Sequence, residues 1–388
     1  MIYEGMNIRN HKILFLTAAN PMGIGGGCYA SHAYLRAFSD MYNGRVDVVM
    51  ADSWQEKWDK KIKIQNRYEA KPLTKLQYGL SLFTSEIQRF SGVAETVLKS
   101  HPDDYDYVVA NGSSISGRLW RLTKKLGIKL ITIHHNYEPE FFAANTKGLR
   151  RTLYLPIVCR MERQAYIYSD FNMFLTNQDK EKFHSVYGDN CKRNEVIGVF
   201  EFSDFKKNEV LAQSNEQLTF VITGSLNTMQ GIDGVKYFFD ELYQYLPKDC
   251  RVIISGRSPD AEIKLLCNSH RNVTLVPNPA NMAEVIASGD VYICPTRVGG
   301  GIKLRVMDGL KLGLPVITHA CSARGYDMFY DTPYLKSFTN QAEFKMAIKE
   351  VTAQIKNFSK EDVLDKYREC FSYEGGLIRM KKVFDYMA

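Results

Sequence analysis

Several large classes of protein are excluded by what this 388-residue chain does not contain. No run approaches the roughly 18 consecutive apolar residues that a membrane-spanning helix needs. The opening Met1-Ile2-Tyr3-Glu4-Gly5 lacks the basic-then-apolar layout of a secretory leader. The eight cysteines (28, 159, 191, 250, 267, 294, 321 and 370) are scattered, with no Cys-x-x-Cys pair and no His/Cys cluster at metal spacing. They read as reduced, mostly buried thiols of a cytoplasmic protein, and no structural zinc site is expected; nor is a divalent metal expected at the site described below. Hydrophobic residues at 45% and charged residues at 24% leave no room for global disorder. The length exceeds what one core serves, so two domains are expected.

The formal net charge of +7 is unevenly spread. Between Trp54 and Leu76 stand seven basic residues (Lys57, Lys60, Lys61, Lys63, Arg67, Lys71 and Lys75) against three acidic ones (Glu56, Asp59 and Glu69). Between Asn145 and Arg163, Lys147, Arg150, Arg151, Arg160 and Arg163 face Glu162 alone. Such patches attract anionic lipid headgroups or a diphosphate-bearing substrate, or they are simply solvated faces. Nucleic acid is not expected, because no binding motif accompanies the charge.

Short β-branched runs alternate with amphipathic stretches almost throughout, the pattern of parallel α/β units. Strands are expected at His11–Ala19, Arg45–Ala51, Tyr105–Ala110, Ile128–His134 and Phe171–Thr176. In the second half they fall at Leu218–Thr223, Arg251–Ser255, Asn272–Val276, Val291–Cys294 and Pro315–Thr318. The first-half helices are expected at Ala30–Met41, Ile115–Leu126 and Arg151–Tyr168. Gly234–Leu246, Ala261–His270, Ala280–Ala287 and Ile302–Leu312 follow in the second half. The alternation weakens over Gly198–Glu216, a polar segment carrying Phe200, Phe202 and Phe205, which is read as the interdomain linker. Beyond Gln341 the pattern is helical, with apolar positions 377, 380, 383, 384 and 387 on one face of the last helix.

The richest stretch runs from Pro295 to Ile317. A strand leads into Gly299-Gly300-Gly301, then Ile302, Lys303, Arg305 and Asp308, and later Gly313-Leu314-Pro315-Val316. Glycines let the backbone approach a phosphate, and first-turn amides favour an anion. Cations in an opening helical turn are disfavoured by the dipole unless an anion offsets them. Asp308, three residues after Arg305, is placed to accept from a ribose diol.

This stretch resembles the donor-nucleotide motif of GT-B glycosyltransferases, especially the large retaining family four (group 1) that uses nucleotide sugars. Gly299, Gly300, Gly301, Lys303, Arg305, Asp308, Gly313, Pro315 and Val316 match it in order. The resemblance implies an α/β chain of two Rossmann-like doubly wound domains facing across a cleft. Residues 1–200 would form the acceptor side and 201–365 the donor side, with a C-terminal helix, 366–388, packing back on the first domain. It implies that Lys303 and Arg305, with the backbone of Gly300, Gly301 and Ile302, hold the diphosphate, and that Asp308 binds the ribose.

Two departures stand out. The family usually has Glu at the position of Asp308, and many members carry a second Glu where this chain has Gly300. Thr223-Gly224-Ser225 ends the first strand of the second half, where relatives often have Gly-Arg or Gly-Ser followed by Lys-Gly. Here Gln230-Gly231 follows, so the load falls on Lys303 and Arg305, with Gly224, Ser225 and Arg257 as further donor-site candidates.

In the first half, Gly23-Ile24-Gly25-Gly26-Gly27 resembles the glycine loop that approaches the transferring sugar and diphosphate, which adds Gly25, Gly26 and Gly27 to the diphosphate set. As a dinucleotide loop it fails at Cys28, which takes the third-glycine register, although Asp52 ends the next strand. Ile131-Thr132-Ile133-His134-His135-Asn136-Tyr137-Glu138 closes another strand. Relatives commonly place a His there near the transferred sugar. His134 is the expected catalytic residue, with Glu138 orienting it or binding acceptor. Trp54 and Trp58 sit among basic residues in a segment that in related enzymes often touches an acceptor or a membrane surface.

The resemblance thus implies a cytoplasmic transferase, peripheral at the inner membrane face, that moves a hexose-type sugar to a hydroxyl of a glycan, lipid-linked or protein acceptor. A UDP-sugar is slightly favoured as donor, and no other cofactor is implied. A non-catalytic partner subunit and a nucleotide-sugar epimerase of the same fold are the alternatives.

Overall fold

The computed structural model describes residues 12–23, 25–51, 58–84, 89–101, 103–116, 119–202 and 217–385. Asp52, Trp54 and Lys57, and residues 203–216 of the expected linker, lie outside the described residues. The chain divides into two compact units, Met1–Asp204 with Tyr373–Ala388, and Phe205–Ser372.

The first unit is built on a parallel sheet of seven strands: β1 (Lys12–Thr17), β2 (Val46–Ala51), β3 (Arg67–Ala70), β4 (Tyr105–Asn111), β5 (Lys129–His134), β6 (Phe171–Phe174) and β7 (Arg193–Val196). Their order is β3-β2-β1-β4-β5-β6-β7. Five match the expected runs. β3 and β7, the two edges, read Arg-Tyr-Glu-Ala and Arg-Asn-Glu-Val and carry no apolar run to betray them. Charged, short edge strands of this kind resist pairing with another chain. The inner strands β1 and β2 are almost wholly buried because helices cover both faces, so they read as continuous hydrophobic runs.

The last helix, Tyr373–Asp385, belongs to this unit. Phe384 stands edge-on to Phe38 and Tyr107 and close to Phe171, while Arg379 Nε donates to the Ile197 carbonyl at 3.1 Å. The preceding helix, Lys360–Phe371, lies in the second unit, so the division falls a few residues beyond the expected 365/366.

The second unit holds a parallel sheet of β8 (Thr219–Ser225), β9 (Arg251–Arg257), β10 (Val273–Pro277), β11 (Val291–Cys294), β12 (Val316–His319) and β13 (Leu335–Phe338). Their order is β10-β9-β8-β11-β12-β13. β13, another edge strand, has no counterpart among the expected elements. Two helices differ from expectation. The one expected from Gly234 starts at Met229, capped by Thr228, whose hydroxyl accepts from the Gly231 N–H at 3.2 Å. The one expected from Ile302 starts at Arg305, after Leu304 at the cap.

In both sheets the strand order reverses beside the first strand of the unit, between β1 and β4 and between β8 and β11. Ligands of open α/β sheets bind outside the carboxyl ends of the strands at such switch points. An Asp-x-Asp triplet of the kind that binds metal-nucleotide complexes does occur, Asp104-Tyr105-Asp106, but it opens β4 at the opposite, amino edge. There Asp104 pairs with Lys12 at 3.4 Å.

Candidate functional site

In the second unit the strand-to-helix connection Pro295–Leu304 gathers the expected residues at the β8/β11 switch point. Its backbone is irregular, with Gly299 and Gly301 at φ of 97° and 67°, a region closed to most side chains. Three residues following β12 pin it. The Ser322 hydroxyl donates to the Thr296 carbonyl at 2.6 Å, the Cys321 thiol to that of Gly299 at 3.2 Å, and the Tyr326 hydroxyl to that of Lys303 at 2.8 Å. The loop is therefore held in shape by buried partners rather than by helical bonds.

Lys303 precedes the helix, and its Nζ donates to the Gly300 carbonyl at 2.8 Å. Arg305 is the first helical residue, and its Nη1 donates to Thr296 Oγ1 at 3.3 Å. Its guanidinium lies over Gly224 at the end of β8, so closely that a Cβ on Gly224 would sit 2.8 Å from Cζ. A Cβ on Gly299 would likewise meet the amide of Gln230 and the Lys303 ammonium, at 3.0 Å from the latter. Gly224, Gln230, Thr296, Gly299, Gly300, Lys303 and Arg305 thus form one cluster. Ser225, next to it, gives its carbonyl to the Thr228 N–H and hydroxyl. Arg257 stands exposed at the end of β9 in register with Ser225. Asp308 is exposed one turn into the helix, and Ile302 is half-buried in the loop.

The electrostatics are those of an anion site. Burial lowers the Lys303 ammonium below the ordinary lysine range. Arg305 and Arg324 push the same way, against the thiols of Cys321 and Cys294. A cation that is disfavoured by burial and by two like charges gains from a bound anion. Arg324 escaped the sequence reading; its only signal was a basic residue shortly after β12. The helix placement corrects the sequence reading in one respect. Lys303 is not in a helical turn, and the helix Arg305–Lys311 spans only seven residues, so side-chain cations and the glycine backbone carry the site more than a dipole does.

In the first unit, Gly25, Gly26 and Gly27 stand exposed at the start of the helix Gly26–Met41. That helix has no side-chain cap bond and no acidic residue in its first turn, which leaves its amides to solvent or to a ligand. His134, expected as the catalytic residue, faces the interior. It is 1% exposed, stacks on Phe174, meets Phe183 edge-on, and bonds through Nε2 to Asn172 Oδ1 at 2.8 Å. Burial lowers its pKa to about 4, and its Nδ1 has no partner. Alternation along β5 turns its ring to a covered face of the strand, among Phe174 and Phe183.

The next residue, His135, lies at the switch point of this sheet. His135 is partly exposed just past β5, and its Nε2 bonds to Asn111 Oδ1 at 2.6 Å. Asn111 Nδ2 in turn donates to Thr17 Oγ1 at 3.1 Å and Ser31 Oγ at 2.6 Å. This network ties the ends of β1 and β4 and the first helix at the switch point. Donation to the amide oxygen places the proton on Nε2, and burial lowers the His135 pKa to about 4, which keeps the ring neutral near pH 7. Glu138 begins the helix Glu138–Asn145, one turn beyond, and burial raises its carboxyl to about 7. Among the described residues no hydrogen bond joins it to His134, whose Nε2 is bound to Asn172.

These geometries agree with what the chain resembles. Residues 217–354 match the family model for glycosyl transferases group 1. Among solved structures, sucrose-phosphate synthase from Thermosynechococcus elongatus is 13% identical, with a TM-score of 0.67 over 97% of this chain and 99% of that one. The lipopolysaccharide outer core galactosyltransferase WaaB is 14% identical, with a TM-score of 0.69 over 97% of this chain and 100% of that one. The Anabaena protein HepE, solved in complex with UDP, is 12% identical, with a TM-score of 0.65 over 97% and 100%. No curated relative matches the chain in sequence. The fold is that of the GT-B glycosyltransferases, two α/β units each on a parallel sheet. The resemblance read in the sequence recurs here: the stretch of the second unit that matches the group 1 model includes Gly299 to Val316.

Proposed function

We propose that this chain transfers a hexose-type sugar from a nucleotide diphosphate donor to a hydroxyl of a glycan or lipid-linked glycan, with retention at the anomeric carbon. The observation that carries the reading is the cation cluster of Lys303, Arg305 and Arg324 around a glycine-lined switch point, with the Arg305 guanidinium against Gly224. The HepE complex with UDP favours a UDP-sugar as donor. As the glycosidic bond breaks, negative charge grows on the diphosphate. Positioned cations and backbone amides stabilise that charge more in the transition state than in the ground state. Side-chain cations supply the positive charge in this reading, without a metal ion. Asp308, exposed beyond Arg305, accepts from the ribose. In the first unit the exposed glycines Gly25–Gly27 and His135, both at that unit's own switch point, are the candidates for contact with the sugar nucleotide.

The same reading includes contact with an anionic membrane surface. Leu76 and Leu80 on the helix Lys75–Thr84, and Leu149 and Leu153 on the helix Gly148–Tyr168, are exposed, and these two helices pack together. Lys71, Lys75, Lys147, Arg150 and Arg151 flank them. Apolar side chains ringed by cations suit an anionic headgroup layer. No helix among the described residues is long and apolar enough to cross a membrane.

Titration with UDP and GDP, followed by donor hydrolysis with the matching sugar nucleotides, tests the reading. Nucleotide binding with slow release of the sugar supports transfer. A chain that binds neither nucleotide is a partner subunit instead. Co-sedimentation with phosphatidylglycerol but not phosphatidylcholine vesicles checks the membrane face.

A further inference from the structure

In the second unit the loop that follows β11 leans on one face of the helix Met229–Tyr237. Gln230, Asp233, Gly234 and Tyr237 stand three or four positions apart and so share that face. A Cβ on Gly234 would stand 3.4 Å from Thr296 Cα, and one on Gly299 would meet the Gln230 amide. Arg297 lies between these two contacts. Its Nε and Nη2 donate to the two oxygens of Asp233, each at 3.2 Å, and its Nη1 donates to Glu241 Oε1 at 3.4 Å. Its guanidinium also covers the Tyr237 ring, 4.2 Å from the centroid. Glu241 is held in turn, since its Oε2 accepts from Gln341 Nε2 at 3.1 Å and Gln341 Oε1 accepts from the Tyr245 hydroxyl at 3.0 Å.

Two ordinary roles do not suit Arg297. As an anion ligand it is poorly placed, because a phosphate drawn to it would meet the carboxylates of Asp233 and Glu241, two negative charges against one positive. As a stabiliser it has little to add: its side chain is 38% exposed and those of Asp233 and Glu241 are 29% and 40%, and ion pairs so open to water contribute little to folding. What the paired bonds do fix is direction and distance, because guanidinium and carboxylate meet as two planar forks. That geometry is imposed two residues before Gly299. Just beyond, the Gly300 carbonyl accepts from Lys303 Nζ at 2.8 Å, so the backbone that Arg297 anchors is the backbone that aims the Lys303 ammonium.

We propose that Arg297 is a positioning residue: clamped on Asp233, it holds residues 296–299 against the helix face and thereby sets where the Lys303 ammonium meets a diphosphate. The role rests on the donor-site reading of Lys303. It adds a residue that acts through that lysine and does not itself touch the nucleotide.

Titration of UDP and GDP into the full chain and its variants tests the role. With the nucleotide that wild type binds, Arg297→Ala should weaken affinity about tenfold, within the range for coupled neighbours. Arg297→Lys, which keeps the charge and loses the fork, should fall between the two. In a Lys303→Ala background Arg297→Ala should cost less than about twofold more, because the group it positions is gone. Asp233→Ala should weaken binding as well, whereas an Arg297 that gripped phosphate itself would be freed and bind more tightly. Melting temperatures within about 3 °C of wild type show that the variants fold. If Arg297→Ala melts lower than that, Arg297→Lys carries the test, and wild-type affinity in it overturns the role. The proposal is also overturned if Arg297→Ala binds as wild type does, if its cost is undiminished beside Lys303→Ala, or if Asp233→Ala tightens binding. A wild-type chain that binds neither nucleotide overturns the donor reading and this role with it, whereas one that binds and ignores Arg297→Ala overturns this role alone.

Discussion

The contact between Arg305 and Gly224 can be tested with one methyl group. In Gly224→Ala the new Cβ would stand 2.8 Å from the guanidinium Cζ and Nη1. Ordinary contact between heavy atoms is about 3.5–4.0 Å, so the guanidinium must retreat by about 1 Å. It is the free end of a flexible side chain, and the backbone at Gly224 is extended strand, so folding stability should change by less than about 0.5 kcal/mol. Ligand binding is another matter. A guanidinium grips a phosphate through two parallel bonds of fixed geometry, each charge-assisted bond contributing about 1.5–3 kcal/mol. Displacement by about 1 Å forfeits roughly one of them, so UDP affinity should fall about tenfold. Arg305→Ala forfeits both, about 3 kcal/mol or on the order of 100-fold. Because Gly224→Ala acts only through that guanidinium, adding it to Arg305→Ala should cost nothing more. Calorimetric titration of UDP into wild type, both single variants and the double variant reads this cycle. Normal binding by Gly224→Ala, or a double variant whose loss is the sum of the two, refutes the reasoning.

Four further outcomes follow from other parts of the molecule. Lys303→Ala, which removes a cation held against two like charges, should weaken UDP binding at least tenfold while leaving the melting temperature unchanged or raised; a titration and a thermal melt decide it. Glu162 keeps its proton in the fold up to pH about 8, whereas an unfolded Glu ionises near 4.5. The folded state therefore binds the extra proton between these values, and stability falls as pH rises through that window, by at most about 5 kcal/mol at about 1.4 kcal/mol per unit. Glu162→Gln should gain on wild type from pH 5 to pH 8 in urea unfolding, and a gap that ignores pH would disprove the assignment. His134→Ala, which empties an aromatic site in the core, should cost about 3 kcal/mol with UDP binding intact, whereas His135→Ala should spare stability and slow donor turnover. Phe384→Ala strips the last helix of its contacts with Phe38, Tyr107 and Phe171 and should cost about 3–5 kcal/mol, read from the unfolding midpoint.

Much of the donor side was legible because its signals are local. Gly299 to Arg305 are contiguous, and a strand that runs into glycines and cations announces an anion loop without reference to the rest of the chain. The inner strands were equally plain: a strand covered on both faces must be apolar along its whole length, and β1, β2, β4 and β5 are. Edge strands β3 and β7 bury little and carry charge, and β13 is only four residues long with Lys336 inside it, so no hydrophobic period marks them.

The start of the Met229–Tyr237 helix was hidden by Gly231 and Gly234. They look like helix breakers, yet a Cβ on Gly231 would strike the Ser225 carbonyl, while Gly234 packs directly against Thr296. That reason lies across the fold and leaves no trace in the neighbouring residues.

Composition, periodicity and one contiguous motif determined by themselves that the chain is a pair of parallel α/β units and that Lys303 and Arg305 stand together where a glycine loop runs into a helix. Only the tertiary structure decided which of two adjacent histidines faces outward, since one residue along a strand reverses the face and both are equally compatible with the pattern. It alone put Arg324 within electrostatic reach of Lys303, the Arg305 guanidinium over Gly224, and Glu162 behind Ser113 and Glu138. Each of these depends on the packing of elements distant in sequence, where burial, rather than residue type, sets charge and contact.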